Sequence, residues 1–211
     1  MIKNNIFDLN KGYLLFSEEE MNPRLNADRD DVLSTFSPLC DSIVAGIMEA
    51  GNEYLEYAEE HPVARQENTF PSSNLHGLII EKMSRIPGIG LSRIHKRNSV
   101  LEIGPYKVWV KKLDDGGLPW VNETVSSLKR VYQKAEGDDI MPILILGYRL
   151  DQIERISSIQ LIYIKGDRQL WAPIDLGSMA AANQFVRLAE PASDEPEVTV
   201  KPEKKKGKIA L

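Results

Sequence analysis

Val100-Leu-Glu-Ile-Gly-Pro-Tyr-Lys-Val-Trp-Val-Lys-Lys-Leu113 runs into Asp114-Asp-Gly-Gly117, and these letters decide the fold. Alternation over residues 106–111 puts Tyr106, Val108 and Val110 on one face of a strand and Lys107, Trp109 and Lys111 on the other. Gly104-Pro105 separates this strand from the one before it, and the Asp-Asp-Gly-Gly turn ends it. Upstream, Leu75, Leu78, Ile79, Met83 and Ile86 share a helix face that Ser73 can cap, and Ile86-Pro-Gly-Ile-Gly90 stops that helix. Downstream, Asn122 or Thr124 starts a helix carrying Val125, Leu128, Tyr132 and Ala135. Met141-Pro-Ile-Leu-Ile-Leu146 is then apolar without alternation, the pattern of a strand covered on both faces. Residues 74–151 therefore predict a helix, strands from 91 to 113, a second helix and a buried strand.

The flanks extend this block. Before it, Leu39, Ile43, Ile47, Ala50, Tyr54 and Ala58 hold one helix face, with Ser37 as N-cap and Pro38 at the first helical position. Glu49, Glu53, Glu56, Glu59 and Glu60 mark the wet side of that helix. After the block, Ile159-Gln-Leu-Ile-Tyr-Ile164 and Gln169-Leu-Trp-Ala-Pro-Ile174 predict a strand pair about the turn 165–168, and Ser178 is the expected cap of a last helix. The fold expected is α/β (α+β), a mixed central sheet of about five to six strands with helices packed on it. Residues 1–73 read as an N-terminal arm and acidic helical section, 74–190 as the α/β core, and 191–211 as a flexible charged tail.

Composition narrows the function classes. Of 211 residues 42% are apolar and 27% charged, which is globular usage. The N-terminus has no apolar leader segment, and the single cysteine, Cys40, fits a reducing compartment, so the cytoplasm is the expected location. Charge is uneven: residues 1–70 carry −9 and residues 71–150 carry +4. An acidic front opposes a long polyanion, while a local basic patch in the middle block suits a few phosphates.

The residues that carry chemistry are sparse. His61, His76 and His95 stand in unrelated segments, none at metal-ligand spacing from Cys40 or another histidine. No nucleophile elbow and no phosphate-binding Walker loop is present. Ile86-Pro-Gly-Ile-Gly90 resembles the hairpin of helix-hairpin-helix modules. That resemblance implies backbone N–H groups at Gly88 and Gly90 meeting a DNA phosphate, with Arg93, Lys96 and Arg97 beside them. It departs at Ile94, where the family takes a small residue, and residues 99–103 read as strand.

The α-β-β-β-α-β order resembles that of restriction-endonuclease-like nucleases, which hold a divalent metal with an upstream acid and an acid-x-Lys triplet. The resemblance implies Glu81 as the helix acid, Glu102 and Lys111 on neighbouring strands, and Mg²⁺ as cofactor. The triplet itself is missing there, since Glu203-Lys204-Lys205 in the tail is its only occurrence. Glu102 and Lys111 also read as a cross-strand ion pair.

Val110-Lys-Lys-Leu-Asp-Asp-Gly-Gly-Leu-Pro119, the helix at Thr124 and Leu146-Gly-Tyr-Arg-Leu-Asp151 carry another likeness. Over residues 75–151 the chain resembles uncharacterised bacterial proteins encoded beside zinc metallopeptidases of the IrrE type. The resemblance implies a non-enzymatic partner or regulatory protein, the antitoxin-like or accessory half of a two-gene defence module. A zinc metallopeptidase or a toxin is then the expected partner, and no cofactor is expected. The alternative expected from the residues is a DNA-binding protein or degenerate metal-dependent nuclease using the 81–111 region.

Overall fold

The computed structural model describes residues 5–8, 13–17, 23–62, 70–94, 98–121, 124–135 and 139–189. The expected tail at 191–211 lies outside them, as do Lys96, Arg97 and His95. Near the N-terminus, β1 (Asn5–Asp8) and β2 (Tyr13–Ser17) pair antiparallel as a sheet of their own.

The helical section starts earlier than Ser37. Asp28 is the cap of α1 (Arg29–Phe36), its carboxylate accepting from the N–H groups of Asp30 and Asp31 at 2.9 and 3.2 Å. Ser37–Leu39 is a single 3₁₀ turn that leads directly into α2 (Cys40–Glu60). Pro38 lacks an N–H and so tightens one turn between the helices rather than opening the second. The continuous stretch Arg29–Glu60 is by length and composition apolar enough to cross a membrane. Eight of its side chains, Val32, Phe36, Cys40, Ile43, Ile47, Ala50, Tyr54 and Ala58, are buried in the core, while Met48 and Tyr57 are exposed. Next, α3 (Phe70–Ser84) begins ahead of Ser73 and buries Leu75, Ile79, Ile80 and Met83. Lys82 of α3 bridges Glu49 at 2.7 Å and Glu53 at 2.9 Å, so part of the acidic side of α2 serves to hold its neighbour.

Six strands form the main sheet among the described residues. They are β3 (Ile89–Ile94), β4 (Asn98–Ile103), β5 (Tyr106–Lys112), β6 (Ile143–Leu150), β7 (Ile156–Ile162) and β10 (Ile174–Asp175), in spatial order β10-β7-β6-β5-β4-β3. β3, β4 and β5 form an antiparallel meander. The crossover through α4 (Val125–Val131) makes β5 and β6 parallel, as a connection that returns to the same end of a sheet must. Thr124 is the cap of α4, accepting from Ser127 N–H, and the helix is shorter than the 122–135 its apolar spacing suggested. The order from α3 to β6 is thus α-β-β-β-α-β.

β6 has neighbours on both sides, and Ile143, Leu144, Ile145 and Leu146 are buried, as its uniform apolarity predicts. The pair β8 (Ile164–Lys165) and β9 (Arg168–Gln169) closes tightly about Gly166, and only Ile174 and Asp175 rejoin the main sheet. The last helix, α5 (Leu176–Ala189), begins before Ser178. Asp175 accepts from both the N–H and the hydroxyl of Ser178, and so does the capping that Ser178 was expected to do. One face of the sheet, through Leu101, Val108, Val110, Leu146 and Leu161, packs on the helices. The other carries a smaller core of Trp109, Leu113, Val131, Ile143, Ile145, Ile162 and Ile164. The alternation read from residues 106–111 is what divides β5 between the two.

Candidate functional site

Strand register keeps the nominated acid and lysine apart. Glu102 stands opposite Lys107, so Lys111 lies four residues further along β5. At the rise of a strand that is about 13 Å. The cross-strand pair expected between Glu102 and Lys111 is therefore not formed, because the antiparallel register gives Glu102 a different lysine. Lys107 in turn reaches Asp139 at 2.6 Å. Glu81 is more than half exposed and pairs with Arg85 one turn along α3. Among the described residues, no group of three or more His, Cys, Asp or Glu side chains is placed to hold a metal ion.

The glycine loop leads from α3 into a strand, not into a second helix. Gly88 takes φ +89°, a turn conformation, while Gly90 is already a residue of β3 paired with Glu102. A side chain at Gly90 would meet Glu102 Cβ at 3.3 Å, so the glycine serves a close strand approach. Arg93 continues β3 opposite Ser99. Lys96 and Arg97 are beyond the described residues.

What the fold does assemble is a cationic pair on one indole. Lys111 and Trp109 are two apart on β5 and share its second face. The Lys111 ammonium sits 4.1 Å from the Trp109 ring centroid, and the Arg130 guanidinium, from the last turn of α4, is 5.2 Å from the same ring. Trp109 and Arg130 are only 3% and 2% exposed. Burial and the charge of Arg130 push the Lys111 ammonium down to about 8. His76 of α3 is also near: burial, then the charge of Lys111, hold its imidazole below the usual value. Among the described residues no carboxylate is within ion-pair distance of Lys111. Trp109 occupies the place, two before Lys111, that the acid of an acid-x-Lys triplet would take. An indole offers a π face to a cation where a carboxylate would offer oxygen to a metal.

No family model, curated protein or solved structure matches this chain.

A second feature lies at the surface. Leu25 and Ile140 are 57% and 43% exposed, and their segments are joined by the Leu25 N–H donating to the Ile140 carbonyl at 2.8 Å. The Tyr163 hydroxyl donates to the Leu25 carbonyl at 3.4 Å. The Tyr163 carbonyl accepts from Leu170, itself 41% exposed. Three segments from distant parts of the chain, each with an exposed apolar residue, are thereby tied to one another and to Tyr163.

Alternation in the sequence was enough to place Trp109 beside Lys111. Neither Arg130 nor His76 carried any such signal, because each comes from a helix whose docking is set only by packing.

Proposed function

We propose that this chain acts by binding another protein rather than by turning over a substrate, as the regulatory or accessory half of a two-gene bacterial module. The observation that carries this reading is the exposure of Leu25, Ile140 and Leu170, on segments that hydrogen bonds tie to one another and to Tyr163. Apolar side chains kept in water on a firmly tied frame are what a partner surface needs, since little ordering remains to be done on binding. The resemblance over residues 75–151 supports a zinc metallopeptidase or a toxin as that partner, with the cytoplasm as the meeting place. Capture from the native host by the full chain tests it, compared with a Leu25→Glu, Ile140→Glu double variant. A specific protein retained by the first and lost from the second is the expected result. The same capture by both would remove the surface from the argument, and capture of nothing by either would remove the partner reading.

Nucleic-acid handling is the second reading, favoured by the α-β-β-β-α-β order with a lysine near the end of β5. Cleavage would need a metal held by Glu81 and Glu102, which the register and the solvent-facing position of Glu81 do not support. A degenerate, binding-only descendant is the form of this reading that the residues support better. Gel shifts at low salt with duplex DNA, single-stranded DNA and RNA decide it, and a steep loss of binding with salt is its signature.

A further inference from the structure

We propose that β3 (Ile89–Ile94) pairs antiparallel with β3 of a second copy of this chain, joining two sheets edge to edge into one. The two edges of the main sheet differ. At one, β10 is only Ile174 and Asp175, directly after Pro173, and so short an edge behind a proline is blunted against further pairing. At the other, β3 runs in unbroken register with β4 from Ile89↔Ile103 to Ile94↔Asn98, without proline, lysine or bulge. Among the described residues no strand lies on its outer side. The Ile89 N–H shows which way the backbone faces, because it donates to the Ile86 carbonyl at 3.1 Å rather than across to Ile103. Alternation along an antiparallel ladder then turns the N–H and C=O of Gly90, Ser92 and Ile94 toward β4, and those of Leu91 and Arg93 outward.

This edge is complementary to itself. A two-fold axis at Leu91 sets Leu91 against its counterpart, Ile89 against Arg93 and Gly90 against Ser92. Leu91 then exchanges both hydrogen bonds with its counterpart, and each Arg93 N–H donates to the Ile89 carbonyl opposite. The pairing ends there, since the Ile89 N–H is already given to Ile86. On the helix-side face Leu91 stands opposite the buried Leu101 yet is 45% exposed, so the leucine pair continues the main core across the axis. On the other face Gly90 and Ser92 bring no bulk. The one charged residue of the strand, Arg93, stands opposite Ile89, and the two arginines lie about 13 Å apart along the strands, so like charges are not opposed. A single strand pair buries less than the roughly 1,000 Å² of a lasting interface, so the dimer is weak and exchanges readily with monomer.

Sedimentation velocity of the full chain between about 10 µM and 1 mM, with residue-resolved amide exchange at both ends of that range, tests the pairing. The expected result is a monomer–dimer equilibrium in which the Leu91 and Arg93 amides exchange about tenfold more slowly at the high concentration. Gly90 and Ser92, already bonded to β4, change little. Leu91→Pro removes only an outward N–H, which an edge strand tolerates, and weakens the dimer about tenfold or more. Leu91→Lys keeps the N–H but opposes two ammonium groups at the axis, and weakens the dimer as well. The Leu25→Glu, Ile140→Glu variant dimerises like the native chain, so failure of that surface and failure of this edge are told apart. The exchange readout on the native chain decides the matter even where Leu91→Pro does not fold. A chain that stays monomeric throughout the range overturns the pairing. So does a dimer without slowed exchange at Leu91 and Arg93, or one that Leu91→Lys leaves unchanged. Protection of those amides by another protein, with the chain alone monomeric, assigns the edge to that protein and overturns self-pairing too.

Discussion

Gln133 pairs with Ile143 as though its side chain were a strand. The Gln133 carboxamide donates to the Ile143 carbonyl at 2.7 Å and accepts from the Ile143 N–H at 3.0 Å, with a further donation to the Ile164 carbonyl at 3.1 Å. It does so from a backbone at φ +54°, an uncommon conformation for a residue with a side chain. The amide thereby satisfies β6 where it enters the sheet and ties it to β8. Gln133→Leu should cost about 2–4 kcal/mol, because buried backbone groups are left without partners. Gln133→Glu should cost a similar amount, since a carboxylate cannot donate to the two carbonyls. Urea unfolding measures both.

A second tie depends on charge. Arg24, nearly buried, donates to the carbonyls of Lys134 and Met141 and pairs with Asp139 at 3.3 Å, and Asp139 also receives Lys107. Burial works against the Asp139 carboxylate, but the hydrogen bond from Lys107 and the charge of Arg24 outweigh it and leave its pKa below the usual value. A carboxylate depressed on folding contributes stability above its unfolded pKa and loses it as pH falls through the folded one. Asp139→Asn should therefore destabilise by about 1–3 kcal/mol at neutral pH. The gap from the native chain should close in melts taken at progressively more acid pH, below about 4.

Lys111 gives the opposite dependence at high pH. Its folded pKa of about 8 lies under the ordinary lysine value of 10.5, so the folded chain holds this proton less tightly than the unfolded one. The penalty is fully present below pH 8 and is relieved as pH rises toward the unfolded value. In phosphate-free buffer, stability should gain about 1–2 kcal/mol across that window, after discounting for the water that still reaches the ammonium. Tyr106, Tyr148 and Tyr163 are all shifted upward, chiefly by burial, so they oppose the gain only near and above pH 10. Lys111→Met should flatten the profile and melt higher at neutral pH. A native profile that falls between pH 8 and 9.5 would contradict the burial of this ammonium.

Gly51 lets α2 touch the sheet. A Cβ there would lie 2.7 Å from Ile156 Cγ1, the methylene of a β7 side chain. Gly51→Ala should destabilise by about 1–3 kcal/mol despite improving helix propensity, because overpacking exceeds the propensity gain of about 1 kcal/mol. Adding Ile156→Ala should recover part of the loss, which denaturant midpoints of the three variants would show as non-additivity.

These cases divide what was legible from what was not. The two faces of β5 and the interior place of β6 followed from side-chain period, which is a local property of a pleated strand. Caps were less legible. Asp28 and Asp175 took the work expected of Ser37 and Ser178, because a cap is chosen by which oxygen the bent chain delivers to the first N–H groups. For the site, Trp109 and Lys111 were visible as a same-face pair, whereas the cross-strand pair of Glu102 with Lys111 is replaced by Glu102 opposite Lys107, a matter of register that no single strand encodes.

By itself the sequence determined the class of fold, the helix–strand order of residues 74–151 and the apolar faces of α2, β5 and β6. Each is a repeat of 3.6 or two residues that the backbone turns into a direction in space. Only the tertiary structure decided that Glu102 meets Lys107 rather than Lys111, that Arg130 comes to the Trp109 ring, and that the segments of Leu25, Ile140 and Leu170 are tied to one another and to Tyr163. Such pairings join residues 5 to 145 positions apart, and what selects among them is the burial of the whole core and the satisfaction of its backbone groups, not any local preference.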